Sequence, residues 1–465
     1  MEKNQMEKRY GLFTAICMVV GIVIGSGVFF KAQDILNYTG GNMLIGILAW
    51  VIGGIVMIIC AFNFANFGTK YVRVNGVVDY AESIVGPRYA YMIGWFLTTI
   101  YYPAMTGVLA WVSARYTLVL FGSDDITGGL CMALGGLYLC LAYAVNVLSP
   151  KIAGKFQVSA TVVKLIPLGI IVVVGTIAGL INGNTVDAFK GAESAFGGAG
   201  FDSIFAGIGA AAFAYEGWII ATSINSELKE PKKNLPRALV IGTAIIMAIY
   251  ILYFVGLVGG ASVDELRTGG ATVAFKNLFG GVGSTILNVF IVVSCLGTLN
   301  GLMLANTRSL YSLSVRGNGP KPQTFAQLDP QTNMPANSGA LTLLFAGAWF
   351  FYFYGANLTN PIFGVFSFDS SELPIITIYA LYIPIFVMFI VKEGKKDVFK
   401  NIVMPILAII ASLFMVFVAV YAHGISKYQS AKELGNFSFP VLFYLIVFAV
   451  IMAVGLLLYR RKNKK

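Results

Sequence analysis

The spacing of its charges constrains this chain most. Long apolar runs recur from one end to the other, and lysines, arginines and acids gather in the short gaps between them. The runs cover about 10–36, 42–67, 90–121, 127–148, 156–181, 203–226, 237–262, 282–307, 338–356, 371–391, 402–423 and 438–459. A bilayer's hydrocarbon core is about 30 Å thick, which roughly 20 helical residues cross. Within it, only a helix or a closed barrel satisfies its own backbone. The runs therefore predict helices, spans 1 to 12. Composition agrees: of 465 residues 57% are apolar and 11% charged, where a soluble protein carries roughly a quarter charged. No segment has the charge to coat a soluble domain, which excludes a soluble enzyme, a nucleic-acid binder and a disordered chain. The expected fold class is an all-α membrane protein of twelve transmembrane helices, a single transmembrane domain over 1–465.

The net charge of +11 does not point to nucleic acid, because the basic residues sit in short loops between spans. With both termini on the cytoplasmic side, 24 of the 32 Lys and Arg residues fall in inside segments and seven, Lys31 among them, outside. That asymmetry follows the positive-inside rule and supports an even number of spans. Lys164 is the remaining one, left within a span. The first run is followed by eleven more and has no small-residue cleavage site, so no signal peptide is expected. Five cysteines (Cys17, Cys60, Cys131, Cys140 and Cys295) lie inside apolar stretches and read as small buried hydrophobes rather than a disulfide framework.

Two spans carry residues that suit a helix poorly. Span 1 contains Gly21-Ile22-Val23-Ile24-Gly25-Ser26-Gly27, and span 6 contains Phe213-Ala214-Tyr215-Glu216-Gly217-Trp218. Gly21 and Gly25 could simply be a small-residue packing face. A carboxylate and a glycine embedded in span 6 change the weighting. If 10–181 and 203–391 are two five-span repeats, spans 1 and 6 stand at corresponding positions, and paired interruptions of that kind mark a secondary transporter's substrate site. An unwound segment exposes amide N–H groups at one half-helix end and carbonyls at the other. The first suits a carboxylate and the second an ammonium, so a zwitterionic amino acid would satisfy both.

Those two motifs resemble the amino acid–polyamine–organocation (APC) superfamily of transporters. So do the run from Asn225 to Arg237 after span 6 and the stretch from Asn300-Gly301 through Arg308 to Arg316-Gly317-Asn318-Gly319-Pro320. Within it the chain is most similar to bacterial relatives of the L-type amino acid transporters, including alanine–serine–cysteine exchangers. The resemblance implies a 5+5 inverted repeat (LeuT-type) with broken helices 1 and 6. In it, 10–181 and 203–391 form the repeats and 402–459 supplies helices 11 and 12. It implies a substrate carboxylate on amides near Ser26 and Gly27, with Gly25 leaving room for the substrate to approach the backbone. The amine would meet carbonyls near Val23 and Ile24 and those of Phe213, Ala214 and Glu216, with Tyr215 and Gly217 completing the second break and Phe213 as an aromatic lid. One departure stands out: span 2 ends Asn63-Phe64-Ala65-Asn66-Phe67-Gly68 where relatives show a Tyr-Ala-Glu-Leu-Gly-like stretch, which puts the usual cytoplasmic gating contacts in doubt. Asn75-Gly76-Val77-Val78 likewise replaces a Ser/Thr-Gly-Gly pattern.

A lysine at mid-membrane costs about 2.5–3.5 kcal/mol on insertion scales and so normally pairs or serves a function. In the resembled transporters a span-5 lysine looks toward the break in span 1, where sodium-coupled relatives hold a cation. Lys164 is accordingly the candidate coupling residue, and sodium independence is expected. It would be either a fixed tether suited to obligatory exchange or a carrier of a coupled proton. Glu216 either lines a wet cavity or shares that coupling. Asp369 and Glu372 read as caps of span 10, Arg115 as interfacial or at a pocket edge, and Tyr101-Tyr102-Pro103 as packing rather than a pocket border. His423, the only histidine, falls at the end of span 11, away from any proton relay.

No zinc motif, paired acids or Ser/His constellation suggests an enzyme, and nothing resembles a channel's filter. The expected function is sodium-independent transport of small neutral L-amino acids (alanine, serine, cysteine type) by obligatory exchange at the cell membrane. A proton-coupled symporter using Lys164 or Glu216 is the alternative. No cofactor, metal or nucleic acid is expected. The segment Phe121-Gly122-Ser123-Asp124-Asp125 lacks cysteine, so no disulfide-linked heavy subunit is expected either.

Overall fold

The computed structural model describes residues 11–25, 27–71, 76–190, 201–219, 228–358, 360–433 and 435–462. Among them all regular structure is helical. In chain order, α1 is Leu12–Val23, α2 Gly27–Tyr38, α3 Met43–Lys70 and α4 Gly76–Ile84. Helix α5 runs over 87–120 through a π-turn at Leu97–Tyr101, followed by α6 (Gly129–Leu148), α7 (Pro150–Asn182), α8 (Asn184–Lys190) and α9 (Phe201–Ala214). Next come α10 (Pro231–Gly260) and α11 (Val263–Val315), the latter broken at Gly270 and Gly280, then the short α12 (Pro322–Phe325) and α13 (Ala336–Ala356). Helices α14 (Leu373–Lys396), α15 (Phe399–Glu433) and α16 (Pro440–Lys462) close the chain. Nine helices among the described residues are long and apolar enough to cross a membrane, and Leu12–Gly21 and Ser203–Ala214 are shorter apolar helices. The chain is thus a multi-pass, all-helical membrane protein.

The helices form two compact units. The first comprises Met1–Gly86, Lys164–Leu287 and Ile376–Ala422; the second comprises Pro87–Val163, Asn288–Ile375 and His423–Lys465. Lipid offers no hydrophobic drive between helices, so small residues and polar groups must hold them together. In the first unit α3 lies close on α10, because a Cβ at Gly46 would meet Phe254 Cζ at 2.6 Å and one at Gly54 would meet Met247 Sδ at 2.6 Å. In the second unit Asn146 Nδ2 donates to Asn300 Oδ1 at 2.9 Å, and Asn300 Nδ2 donates to the Ala153 carbonyl at 3.2 Å. Trp349 Nε1 donates to the Thr99 carbonyl at 2.9 Å, within the π-turn of α5. Tyr101 packs between Phe96 and Tyr102, 6.2 and 5.3 Å from their ring centres.

Several sequence expectations need correction. Cys17 and Cys140 are exposed, while Cys60, Cys131 and Cys295 are buried; an apolar run does not distinguish a face turned to lipid from one turned to protein. Lys31 is 4% exposed within α2, not a loop cation. Asp369 does cap α14, accepting from the Glu372 amide at 3.0 Å, and the Glu372 carboxylate meets His423. Glu372 is 2% exposed and its Oε2 lies 3.1 Å from His423 Nε2. His423 sits in a π-turn with eight more helical residues beyond Ile425, because α15 outlasts the apolar run that suggested its end. Arg115 stacks on Trp111, 5.4 Å from the ring centre.

Candidate substrate site at the paired helix breaks

The site lies wholly within the first unit. Helix α1 stops at Val23: the Ile24 amide still donates to the Val20 carbonyl at 2.9 Å, but Ile24 is extended (φ −65°, ψ 97°). Gly25 follows as a bend and α2 begins at Gly27, while Ser26 lies outside the described residues. Helix α9 stops at Ala214. Beyond it Tyr215 N donates to the Ala211 carbonyl at 3.0 Å and Glu216 N to the Phe213 carbonyl at 3.2 Å. Gly217 then takes φ +107°, a region open to glycine and strained for other residues, and so turns the chain. The two breaks meet: a Cβ on Gly27 would sit 3.0 Å from Ala214 Cα and 3.3 Å from Phe213 Cδ1. Only glycine at 27 permits that approach.

A helix that stops leaves its last carbonyls without intrahelical partners, and buried ones must find donors. Lys164 Nζ supplies one, donating to the Gly21 carbonyl at 2.5 Å from a side chain 2% exposed. Tyr250, fully buried in α10, supplies another. Its hydroxyl lies 3.3 Å from the Val23 carbonyl and 3.0 Å from the Ala214 carbonyl, one from each break. One hydroxyl hydrogen serves one carbonyl at a time, so a lone pair always stays open to another donor. Tyr250 carries no local sequence signal, being a tyrosine in an ordinary apolar run. Sequence reasoning missed it.

The remaining residues divide by what they touch. The Tyr215 side chain is 1% exposed, stacks on Tyr250 at 5.1 Å and donates to the Trp50 carbonyl at 2.9 Å, so it anchors the break to α3. Glu216 is half-buried. Phe213, 7% exposed, packs on Phe30 with ring centres 5.4 Å apart, and the Lys31 ammonium stands 5.2 Å from the centre of its ring. Residues 225–227 of the loop motif lie outside the described residues, as do residues 72–75 of the departure after span 2. Among the described residues no group of three or more His, Cys, Asp or Glu could hold a metal ion.

The unusual end of span 2 has a physical account. Asn63 Nδ2 donates to the Met404 carbonyl at 3.0 Å, and Asn66 Nδ2 donates to the Lys400 carbonyl and Asn401 Oδ1, each at 3.1 Å. Both carbonyls lie at or beside the π-turn Phe399–Val403, whose altered ladder leaves backbone groups for such donors. A carboxylate at 66 could donate to neither acceptor. The acid of this network is instead Glu393 of α14, 3.2 Å from Lys70 Nζ.

The amino acid permease model matches residues 10–451. The chain is 30% identical over 424 residues to the serine/threonine exchanger SteT of Bacillus subtilis (strain 168), covering 89% of this chain and 91% of that one. It is 27% identical over 343 residues to the human cystine/glutamate transporter, covering 72% and 66% of the two chains. It is 25% identical over 393 residues to the rabbit large neutral amino acids transporter small subunit 2, covering 79% and 71%. Substrates differ across these relatives, whereas transport is common to them. With the interrupted helices and the span of the family match, the chain belongs to the amino acid permease family of the APC superfamily and is a transporter rather than an enzyme.

Proposed function

We propose that this protein exchanges small neutral L-amino acids of the alanine, serine and cysteine type across the cell membrane, independently of sodium. Twelve spans, a 5+5 inverted repeat and cytoplasmic termini complete the reading, with no disulfide-linked heavy subunit. The observation that carries it is the meeting of two helix breaks, at Ile24 and Gly25 and after Ala214, through the close approach of Gly27 to Ala214. The substrate carboxylate would sit on the amides that open α2, at the positive end of that half-helix. Its ammonium would take the lone pairs that Tyr250 leaves open on Val23 and Ala214. Lys164 supports sodium independence, because its ammonium already serves a carbonyl freed by the first break. Small, neutral substrates suit a site bordered by the buried Phe213, and one relative is named a serine/threonine exchanger.

Glu216, half-buried at the second break, supports the alternative of proton-coupled symport. Radiolabelled alanine uptake into proteoliposomes separates the two. Exchange predicts uptake only with internal amino acid, unchanged by replacing sodium or imposing a proton gradient. Uptake into empty vesicles driven by protons would establish symport instead, and no uptake under any condition would overturn the substrate assignment.

A further inference from the structure

Lys31 lies four residues beyond Gly27 in α2, and residues four apart share a helix face. That face meets span 6, since a Cβ on Gly27 would stand 3.3 Å from Phe213 Cδ1. The Lys31 ammonium is 5.2 Å from the centre of the Phe213 ring and 5.8 Å from that of Phe30. Asp34 Oδ2 lies 3.3 Å from it, on a side chain 39% exposed against 6% for Lys31. A buried ammonium persists only where its charge is compensated; here a carboxylate answers it on one side and aromatic faces on another. We propose that Lys31 is the latch of the Phe213 lid, a positioning residue that sets how readily the site opens toward the side to which α2 leads. This rests on reading the paired breaks as the substrate site.

Phe213 cannot swing away from Gly27 without leaving the ammonium. A desolvated cation–π contact corresponds to roughly a tenfold or larger bias in such an equilibrium. Asp34 fixes the ammonium so that the ring, not the lysine, is the part that moves. Removing the charge shifts the population toward the open lid, which raises apparent affinity on that side alone.

The test uses the full chain, wild type and Lys31→Met, with KM for alanine measured separately from each face of the membrane. Lys31→Met is expected to lower KM about tenfold on the α2 side and leave the other side unchanged. Lys31→Arg, which keeps a cation over the ring, stays near wild type, and in a Phe213→Leu background Lys31→Met has no further effect. Equal shifts on both faces, or the same shift without the Phe213 ring, would overturn the latch. Hydrogen exchange of the segment 201–219 gives a readout that needs no transport. Faster exchange at Phe213–Gly217 is expected in Lys31→Met, and unchanged rates overturn the proposal even if the protein moves a different substrate. Should Lys31→Met fail to fold, Asp34→Asn, at a partly exposed position, is expected to shift KM and exchange in the same direction, and no shift there counts against it.

Discussion

Gly27→Ala is the most informative small change in this molecule. The new methyl would stand 3.0 Å from Ala214 Cα and 3.3 Å from Phe213 Cδ1. Carbon atoms rest at about 3.5–4.0 Å, so the breaks must part by about half an ångström, and a backbone atom cannot rotate aside as a side chain can. Overpacking of this kind costs roughly 1–3 kcal/mol. Alanine also recovers up to about 1 kcal/mol of helix propensity within α2, so net stability changes little. The geometry of the paired breaks bears the rest, which corresponds to a rise in KM of about tenfold or more. Gly207→Ala is the control: its methyl would lie 3.1 Å from Ala49 Cβ, as tight a contact, about two turns before the break on α9. Alanine exchange in proteoliposomes and apparent unfolding temperature in detergent should be measured for both. Equal KM values in the two variants would refute the claim that the Gly27–Ala214 contact shapes the substrate site.

Two further predictions follow from groups that satisfy freed carbonyls. Tyr250→Phe leaves the Val23 and Ala214 carbonyls short of their partner, a loss of about 1–3 kcal/mol. Its unfolding temperature should fall and recover more with saturating alanine than the wild type gains, since the substrate ammonium donates to the same carbonyls; equal gains would contradict this. Asn66→Ala removes donors to the Lys400 carbonyl and Asn401 Oδ1 and should cost about 1–3 kcal/mol of stability with KM unchanged. Asn66→Asp should fare no better, and a fully stable Asp variant would show that Lys70 re-pairs with it.

The sequence announces both breaks because the residues that allow them are poor helix formers at membrane depth: Gly25 and Gly27 in one, Glu216 and Gly217 in the other. Lys164 is equally plain, as a charge in an apolar run has few innocent explanations. Tyr250 is silent by contrast, because its role depends on carbonyls distant along the chain, and one tyrosine in an apolar helix looks like any other. Its separation from Ala214 is 36 residues and from Val23 is 227. Lys31, near the end of the first apolar run, counts with the outside charges by sequence, whereas α2 continues to Tyr38 and buries the lysine. The acid absent from span 2 could not be found by local comparison either, since Glu393 comes from a helix 323 residues away from Lys70. Lipid-facing and protein-facing sides of a membrane helix are both apolar, so the sequence does not distinguish exposed Cys17 and Cys140 from buried Cys60, Cys131 and Cys295.

The central claim is that an amino acid binds where the two breaks meet, and the most direct measurement is an electron cryo-microscopy map of the protein saturated with L-alanine. The account predicts density between Gly25–Gly27 and Phe213–Gly217, with the carboxylate toward the start of α2 and the ammonium facing the Val23 and Ala214 carbonyls. Alanine bound elsewhere, with no density where the breaks meet, would contradict it.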